Sequence, residues 1–225
     1  MTSEINSETV KEYGIELGAT VVGIADAKDF NKAPKGFKPT DALKECHSVI
    51  VLGYPFPQEA ITDDSVEYID VRKEINEKMN TIAKDLEKKI KSEGYKARAI
   101  NGMSGKWVNG EQFGLISLKH AAEFAGLGTI TRNYLLTNPE YGNLLWFSAV
   151  LTTAELSPDE KTPDIDCEDC MKCVEMCPID ALDSIASFKK KECGKNMMKM
   201  ENKKWKIDCF LCREVCPKGF GEAGN

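Results

Sequence analysis

Ser117-Leu118-Lys119-His120-Ala121-Ala122-Glu123-Phe124-Ala125-Gly126-Leu127-Gly128-Thr129-Ile130-Thr131-Arg132-Asn133-Tyr134-Leu135-Leu136 runs on to Pro139-Glu140-Tyr141-Gly142. Ser117 to Ala125 predicts a short helix, and Gly126 closes it, because glycine enters the left-handed region at a helix end without steric cost. Gly128, two residues on, lets the backbone approach a neighbour closely. Read alone, the stretch is either a tight connection or a backbone turn laid against something. Glycine spacing does not separate the two.

Upstream, the pattern alternates between strands and helices. Ser7 is expected to cap a short helix carrying Val10, Tyr13 and Leu17, which Gly18 ends. Val21-Val22-Gly23-Ile24-Ala25 and Ser48-Val49-Ile50-Val51-Leu52-Gly53-Tyr54 are continuous apolar runs, as in strands covered by helices on both faces; Pro55 and Pro57 stop the second. Ile75, Met79, Ile82, Leu86 and Ile90 form one apolar stripe of a long helix, with Glu74–Lys78 and Asp85–Lys89 pairs expected on its wet side and Gly94 at its end. Tyr95 to Ile100 and Leu144 to Thr152 read as further strands. The expectation is a layered α/β or α+β domain over residues 1–154.

Downstream, Glu155 to Asp166 is acidic, contains Pro158 and Pro163, and reads as a linker (155–166). Residues 167–225 then hold eight of the nine cysteines. The first block is Cys167-x2-Cys170-x2-Cys173-x3-Cys177-Pro178, and the second is Cys193, a gap of fifteen residues, then Cys209-x2-Cys212-x3-Cys216-Pro217. In two-cluster bacterial ferredoxins the cysteine before proline ligates the other cluster. The expected sets are Cys167, Cys170, Cys173 and Cys216 for one [4Fe–4S] cluster, and Cys193, Cys209, Cys212 and Cys177 for a second. Zinc sites more often read as paired C-x2-C knuckles, and nothing indicates the oxidising compartment that disulfides require. A segment this short and polar buries little core, so its metal centres must hold it together. Cys46 stands apart as a small buried residue.

The chain has 225 residues and a net charge of −6. Its first residues lack a basic or apolar leader pattern, and its longest apolar run, Leu144 to Leu151, is far below membrane-spanning length. The expectation is a cytoplasmic protein without membrane contact. Lys189 to Lys206 is lysine-rich and reads as a solvated face or a docking patch for an acidic redox partner. No general phosphate-binding charge is present.

The helix with its Ala125-Gly126-Leu127-Gly128 turn, the Leu135-Leu136 and Pro139-Glu140-Tyr141-Gly142 steps, the strand ending Val150-Leu151-Thr152-Thr153 and the two cysteine blocks together resemble epoxyqueuosine reductase and the corrinoid-dependent reductive dehalogenases. The resemblance extends more weakly to Leu17–Ala25 and Ser48–Tyr54. It implies a nitroreductase-like three-layer domain holding base-off cobalamin, followed by a ferredoxin-like module whose clusters relay electrons from a low-potential donor such as a ferredoxin or flavodoxin. On that resemblance Ser117, Gly126, Leu127, Gly128, Tyr141 and Gly142 are expected to line the corrinoid pocket. Such proteins are oxygen-sensitive and act in reduced surroundings.

This sequence departs from the family at three places. The Asp-Ser-Ala-Pro-like stretch that supplies a general acid is replaced by Asn101-Gly102-Met103-Ser104-Gly105-Lys106-Trp107-Val108-Asn109-Gly110-Glu111. Thr131 stands where a second glycine is usual, and the chain stops after the second cysteine block, where the tRNA-modifying enzyme continues into helices. Glu111, Lys119, His120 and Tyr54 are the proton donors a substrate would meet. The substrate is expected to be a small molecule or a nucleoside, with tRNA disfavoured by the acidic chain. The competing expectation is a ferredoxin-type electron carrier that reduces a partner protein or a flavin, with no turnover of its own.

Overall fold

The computed structural model describes residues 5–63, 67–103, 105–108, 111–165, 167, 169–182, 188–201 and 204–222, with the side chains of Glu111 and Gln112 outside the described set. In chain order the described helices are α1 (Ser7–Glu16), α2 (Pro39–Ala42), α3 (Glu59–Thr62), α4 (Tyr68–Ser92), α5 (Leu118–Phe124), α6 (Lys172–Glu175), α7 (Lys190–Met197) and α8 (Leu211–Glu214). The strands are β1 (Val21–Asp26), β2 (Ser48–Pro55), β3 (Ala97–Ile100), β4 (Gly105–Val108), β5 (Glu111–Gly114), β6 (Thr129–Ile130), β7 (Leu136–Thr137), β8 (Leu145–Thr152), β9 (Met198–Glu201) and β10 (Lys204–Ile207). They form two compact units, each built from three separated stretches: Met1–Tyr54, Ile75–Gly128 and Trp146–Thr162 in the first, and Pro55–Glu74, Thr129–Leu145 and Pro163–Asn225 in the second.

The first unit is built on a four-stranded sheet in the order β1-β2-β8-β3. β1 pairs antiparallel with β2, Ile24 facing Ile50, and β3 pairs antiparallel with β8. Val49 to Leu52 and Ala149 to Leu151 are completely buried, which is why these strands read as unbroken apolar runs. Helices cover both faces. A side chain at Gly14 of α1 would strike Val22 and Leu52, while one at the neighbouring Gly23 would strike the carbonyl of Ala125 behind α5. Adjacent strand residues point to opposite faces, so α1 and α5 sit on opposite sides of β1. The α4 stripe is buried at every expected position from Ile75 to Ile90, and the hydroxyl of Ser148 donates to the carbonyl of Met79 at 3.2 Å, tying β8 to that helix.

Local details differ from the expectation in two places. Asn6, not Ser7, caps α1 by accepting from the Thr9 N–H, and Ser7 donates instead to the carbonyl of Ser157. The surface pairs on α4 are Asp85 with Lys88 and Glu87 with Lys91, while Lys89 reaches Glu16 and Lys78 lies over the Tyr54 ring at 3.7 Å. Glu87–Lys91 keeps the i,i+4 spacing, whereas Lys78 and Lys89 leave their expected carboxylates for a ring and for another helix.

The acidic stretch after β8 is hydrogen-bonded to the first unit as far as Thr162. Asp159 runs beside the edge strand: its N–H donates to Ile24, its carboxylate accepts from the Ile24 N–H, and it pairs with Lys11. This covers backbone groups that β1 would otherwise leave open at the sheet edge. Among the described residues no helix is long and apolar enough to cross a membrane.

The second unit has no large sheet among its described residues. β6 pairs with β7, and β9 with β10, both antiparallel. Phe56, Tyr68 and Phe210 stack in sequence at 4.7 and 4.8 Å between ring centres, and Tyr134 stacks on Phe188 at 5.1 Å. These aromatic contacts draw residues 55–74 and 129–145 onto the cysteine-bearing segment.

Candidate metal centre

The two cysteine blocks fold alike. Cys170, Cys173 and Cys177 recur thirty-nine residues on as Cys209, Cys212 and Cys216. In each block the second of these cysteines lies on a one-turn helix, α6 or α8. The Cys177 N–H donates to Val174, and the Cys216 N–H donates to Arg213 at the equivalent place. Each block thus presents its thiols from a tight turn, and proline then diverts the chain.

Charge effects among the thiols show which of them are neighbours. Burial pushes up the Cys173 thiol, and Cys216, Cys170 and Cys167 add to the shift. Burial raises Cys216 too, with Cys167 and Cys170 contributing. Cys193 is raised by burial, then by Cys209 and Cys177. Cys212 is pushed up to about 12, chiefly by burial, with Cys193, Cys209 and Cys173 adding and Arg213 opposing. Across the two blocks Cys216 thus acts on Cys173 and Cys177 acts on Cys193, while Cys173 also acts on Cys212 of the other expected set.

Thiols that resist ionising, first through burial and then through one another, would need a cationic centre to be taken as thiolates. No three Cys, His, Asp or Glu side chains among the described residues converge as they would on a single ion. Around one tetrahedral zinc, bonds of about 2.3 Å hold sulfurs under about 4 Å apart. Four irons at the corners of a cube would take their thiolates from positions set further apart.

Residues that the sequence reading missed hold these loops. The Arg132 guanidinium donates from Nη2 and Nε to the carbonyl of Cys167, at 3.0 and 3.3 Å. Asn133 donates from Nδ2 to the carbonyl of Cys212 at 3.2 Å. Two adjacent residues thus reach one loop of each set.

Asn133 is itself fixed by a closed ring of hydrogen bonds. Asn143 Nδ2 donates to Thr137 Oγ1 (2.6 Å), Thr137 shares a proton with Thr131 Oγ1 (2.8 Å), Thr131 donates to Asn133 Oδ1 (3.0 Å), and Asn133 Nδ2 returns to Asn143 Oδ1 (2.9 Å). All four residues are buried. The ring satisfies each polar group and leaves one Asn133 proton for Cys212. The available signal was polar residues at buried spacing inside an apolar run, Thr131, Asn133 and Asn143 among Ile130, Leu135, Leu136 and Leu144.

The other expected site residues are tied to different neighbours. Gly126 has a φ of 69°, and a side chain there would strike the Glu160 carbonyl, while its own carbonyl accepts from Thr162 Oγ1 at 2.7 Å. Leu127 is buried against Gly23, and Gly128 has a φ of 145°. Gly142, at φ 55°, lies against the Gly219 carbonyl, which also accepts from the Asn143 N–H at 2.7 Å. The Pro139–Gly142 turn therefore packs on the loop after Cys216. Tyr141 is anchored through its N–H to Asn138, and burial, then Glu140, raises its phenol.

Ser117 is the N-cap of α5, but its hydroxyl meets His120 Nδ1 at 2.6 Å rather than a helix N–H. Burial, then Lys119, lowers the His120 pKa, while Glu123 opposes. Tyr54 ends β2 beneath the Lys78 ammonium. Glu111 lies on β5 and its side chain is outside the described residues.

No family model matches the chain. It is 30% identical to the epoxyqueuosine reductase of Staphylococcus aureus over 118 residues, which is 48% of this chain and 31% of that protein. With the enzyme of Prochlorococcus marinus the identity is 29% over 162 residues (66% and 47%). With that of Lactococcus garvieae it is 25% over 207 residues (82% and 55%). The chain spans about a third to a half of these relatives. Among solved structures, an epoxyqueuosine reductase bound to an epoxyqueuosine-modified tRNA stem loop superposes with a TM-score of 0.67 at 20% identity, over 94% of this chain and 64% of that one. A catabolic reductive dehalogenase gives 0.74 at 20% identity, over 100% and 34%. At such identities the structures establish a shared mixed α/β fold. The chain is a relative of the epoxyqueuosine reductases, and it shares its fold with them and with the reductive dehalogenases.

Proposed function

We propose that the chain is an iron–sulfur oxidoreductase that passes electrons through two [4Fe–4S] clusters to a corrinoid, for reductive chemistry on a small or nucleoside-like substrate. Cys167, Cys170, Cys173 and Cys216 would hold one cluster, and Cys193, Cys209, Cys212 and Cys177 the other. When bound, the clusters supply one-electron transfer and base-off cobalamin supplies a strongly reducing metal. The observation that carries the reading is the repeated Cys-x2-Cys-x3-Cys-Pro turn, in which each block presents its thiols from an equivalent one-turn helix.

The chain's own residues supply position and protons. Arg132 and Asn133 hold a loop of each thiol set. A reductive cleavage consumes a proton, for which Tyr54, Glu111, Lys119 and His120 are the proposed sources. His120 is held neutral at ordinary pH by burial, so it would need a protonated neighbour or solvent to recharge it. The part of residues 1–154 that belongs to the first unit would form the corrinoid-binding domain, with Ser117, Leu127 and Gly128 nearest the cofactor. For Gly126 and Gly142 the close approach already serves Glu160 and Gly219. The relatives are reductases, which favours turnover over electron carriage alone. One of them was solved with a modified tRNA stem loop, which keeps a nucleoside-like group as the substrate class. A ferredoxin or flavodoxin would be the donor.

The test is anaerobic reconstitution followed by iron and corrinoid analysis with visible and EPR spectra. About eight irons and one corrinoid per chain are expected. Cys177→Ser should disturb the cluster of the second block rather than its own. A fully iron-loaded protein that takes up no cobalamin would overturn the corrinoid part, and one lacking clusters would overturn the whole.

A further inference from the structure

The described residues of the fifteen-residue gap between Cys193 and Cys209 form two antiparallel paired strands. Cys193 lies on α7, which leads directly into β9. β10 returns to Asp208, whose N–H donates to the Met197 carbonyl at 3.3 Å and closes the base. The pairing is Met198 with Ile207, Met200 with Trp205, Lys199 with Lys206 and Glu201 with Lys204. Residues two apart share a face, so one face carries Met198, Met200, Trp205 and Ile207, and the other carries Lys199, Glu201, Lys204 and Lys206.

The apolar face is anchored at one end and open at the other. Ile207 is 4% exposed, but Met200 is 62% and Trp205 54% exposed. An exposed tryptophan facing an exposed methionine across a two-stranded ribbon costs solvation unless something covers it. Both residue types are enriched at the buried centres of protein interfaces. From Lys189 to Asp208 there are eight lysines against three carboxylates, in a chain of net charge −6. Lys199 is paired with Asp208. Among the described residues no ion pair engages Lys204 or Lys206.

We propose that this two-stranded ribbon is the docking surface for an acidic one-electron carrier protein, which makes the set Cys177, Cys193, Cys209 and Cys212 the point of electron entry. The inference rests on the iron–sulfur reading above. A protein seated on an insertion between two ligands of one cluster lies near that cluster, and electron tunnelling falls steeply with distance. The lysine excess attracts an acidic carrier at long range, and the Met200–Trp205 pair supplies the dry contact. In the transfer itself the carrier loses one electron and one cluster gains it. A nucleic acid is the less suited occupant, because single-strand platforms set cations beside their aromatics, whereas here the register puts lysines and tryptophan on opposite faces.

The test uses the reconstituted full chain and a reduced, acidic flavodoxin as the probe, with dithionite as a small-molecule control. Stopped-flow reduction by flavodoxin should slow about tenfold or more in Lys204→Glu/Lys206→Glu and in Met200→Ser/Trp205→Ala, and the wild-type rate should fall as salt rises. Reduction by dithionite should not change, and neither should iron content. Clusters that form normally yet accept flavodoxin electrons at the wild-type rate in both variants overturn the docking proposal and leave the functional reading intact. A chain that assembles no clusters overturns both. A tRNA stem loop whose binding is abolished by Trp205→Ala, with flavodoxin reduction unaffected, reassigns the surface to nucleic acid.

Discussion

The guanidinium of Arg132 donates to the carbonyl of Cys167 from two nitrogens, at 3.0 and 3.3 Å. A planar fork can do this and an ammonium cannot. Arg132→Lys should therefore loosen the first thiol set although the charge is kept, and Arg132→Gln should also remove a nearby positive charge. In the reconstituted protein Arg132→Gln is expected to lower the potential of one cluster by on the order of tens of millivolts, for a charge interaction of about 1 kcal/mol. Arg132→Lys should speed iron loss to a chelator with a smaller shift. An EPR-monitored redox titration in which both variants match the wild type would show that this contact only decorates the loop.

The ring formed by Thr131, Asn133, Thr137 and Asn143 makes a different prediction. Thr137→Val keeps the shape and deletes both bonds made by Thr137 Oγ1, leaving one N–H of Asn143 Nδ2 and one acceptor position of Thr131 Oγ1 unfilled in the interior. The expected loss is about 1–3 kcal/mol in urea unfolding. Cooperative strengthening predicts that Thr137→Val/Asn143→Ala costs less than the sum of the single changes. Strict additivity would mean that the bonds act separately.

Gly126 and Gly94 form a controlled pair. Both have positive φ, 69° and 93°, but a side chain at Gly126 would strike Glu160 whereas nothing lies within 4 Å at Gly94. Gly94→Ala should cost only the backbone term, about 1 kcal/mol. Gly126→Ala should cost at least twice that, because the stretch from Glu155 to Thr162 must move as well. Equal losses in thermal unfolding would refute the clamp.

His120 titrates below its ordinary 6.5 because burial, then Lys119, disfavours the cation. As pH falls, the unfolded chain therefore binds this proton first. The stability contribution is full above 6.5 and is lost as the pH drops through and below that value. NMR titration should place the imidazole midpoint below 6.5. Lys119→Ala should move it up, and Glu123→Gln should move it down. Shifts of the opposite sign would show that other groups set the value.

Cys46 should behave unlike the more accessible thiols of the two blocks. It is buried, its sulfur donates to the Ser48 carbonyl at 3.4 Å, and burial pushes its pKa to about 11. Alkylation of the metal-free protein at pH 8 should label the more accessible cysteines of the two blocks, such as Cys167 and Cys170, and spare Cys46 and Cys212 until the chain unfolds. Rapid native labelling of Cys46, read by mass spectrometry, would contradict this.

The secondary structure of the sheet domain was legible because its signals are local. The α4 stripe and the apolar runs of β1, β2 and β8 are periodic over a few residues, and Gly94 and Gly126 mark helix ends by φ alone. The repeated cysteine turns were legible because the same Cys-x2-Cys-x3-Cys-Pro spacing occurs twice and folds alike both times. What escaped was long-range. No periodicity links Asp159 to Ile24, or Asn133 to Asn143 and Cys212, and such pairings exist only once distant segments meet. Read as a tight connection, the Ala125–Gly128 turn agrees with the close approach of Gly126 to the Glu160 carbonyl, a partner that local sequence could not name. Lys78 and Lys89 were assigned helix partners by rule and took others, because an exposed lysine on a flexible stem settles wherever a nearby ring or carboxylate is offered.

The stacking of Phe56 on Tyr68 and of Tyr68 on Phe210 has a consequence for biosynthesis. The ribosome delivers the first two rings some 140 residues before the third. Until then the Tyr68 face that meets Phe210 is uncovered, as is the Gly142 turn that waits for Gly219. The second unit therefore cannot mature in step with elongation. Its nascent form exposes aromatic surface for the time it takes to translate that interval, several seconds to about half a minute at about 5–20 residues per second. That interval makes this unit, rather than the sheet, the place where a chaperone or an iron donor would have its opportunity.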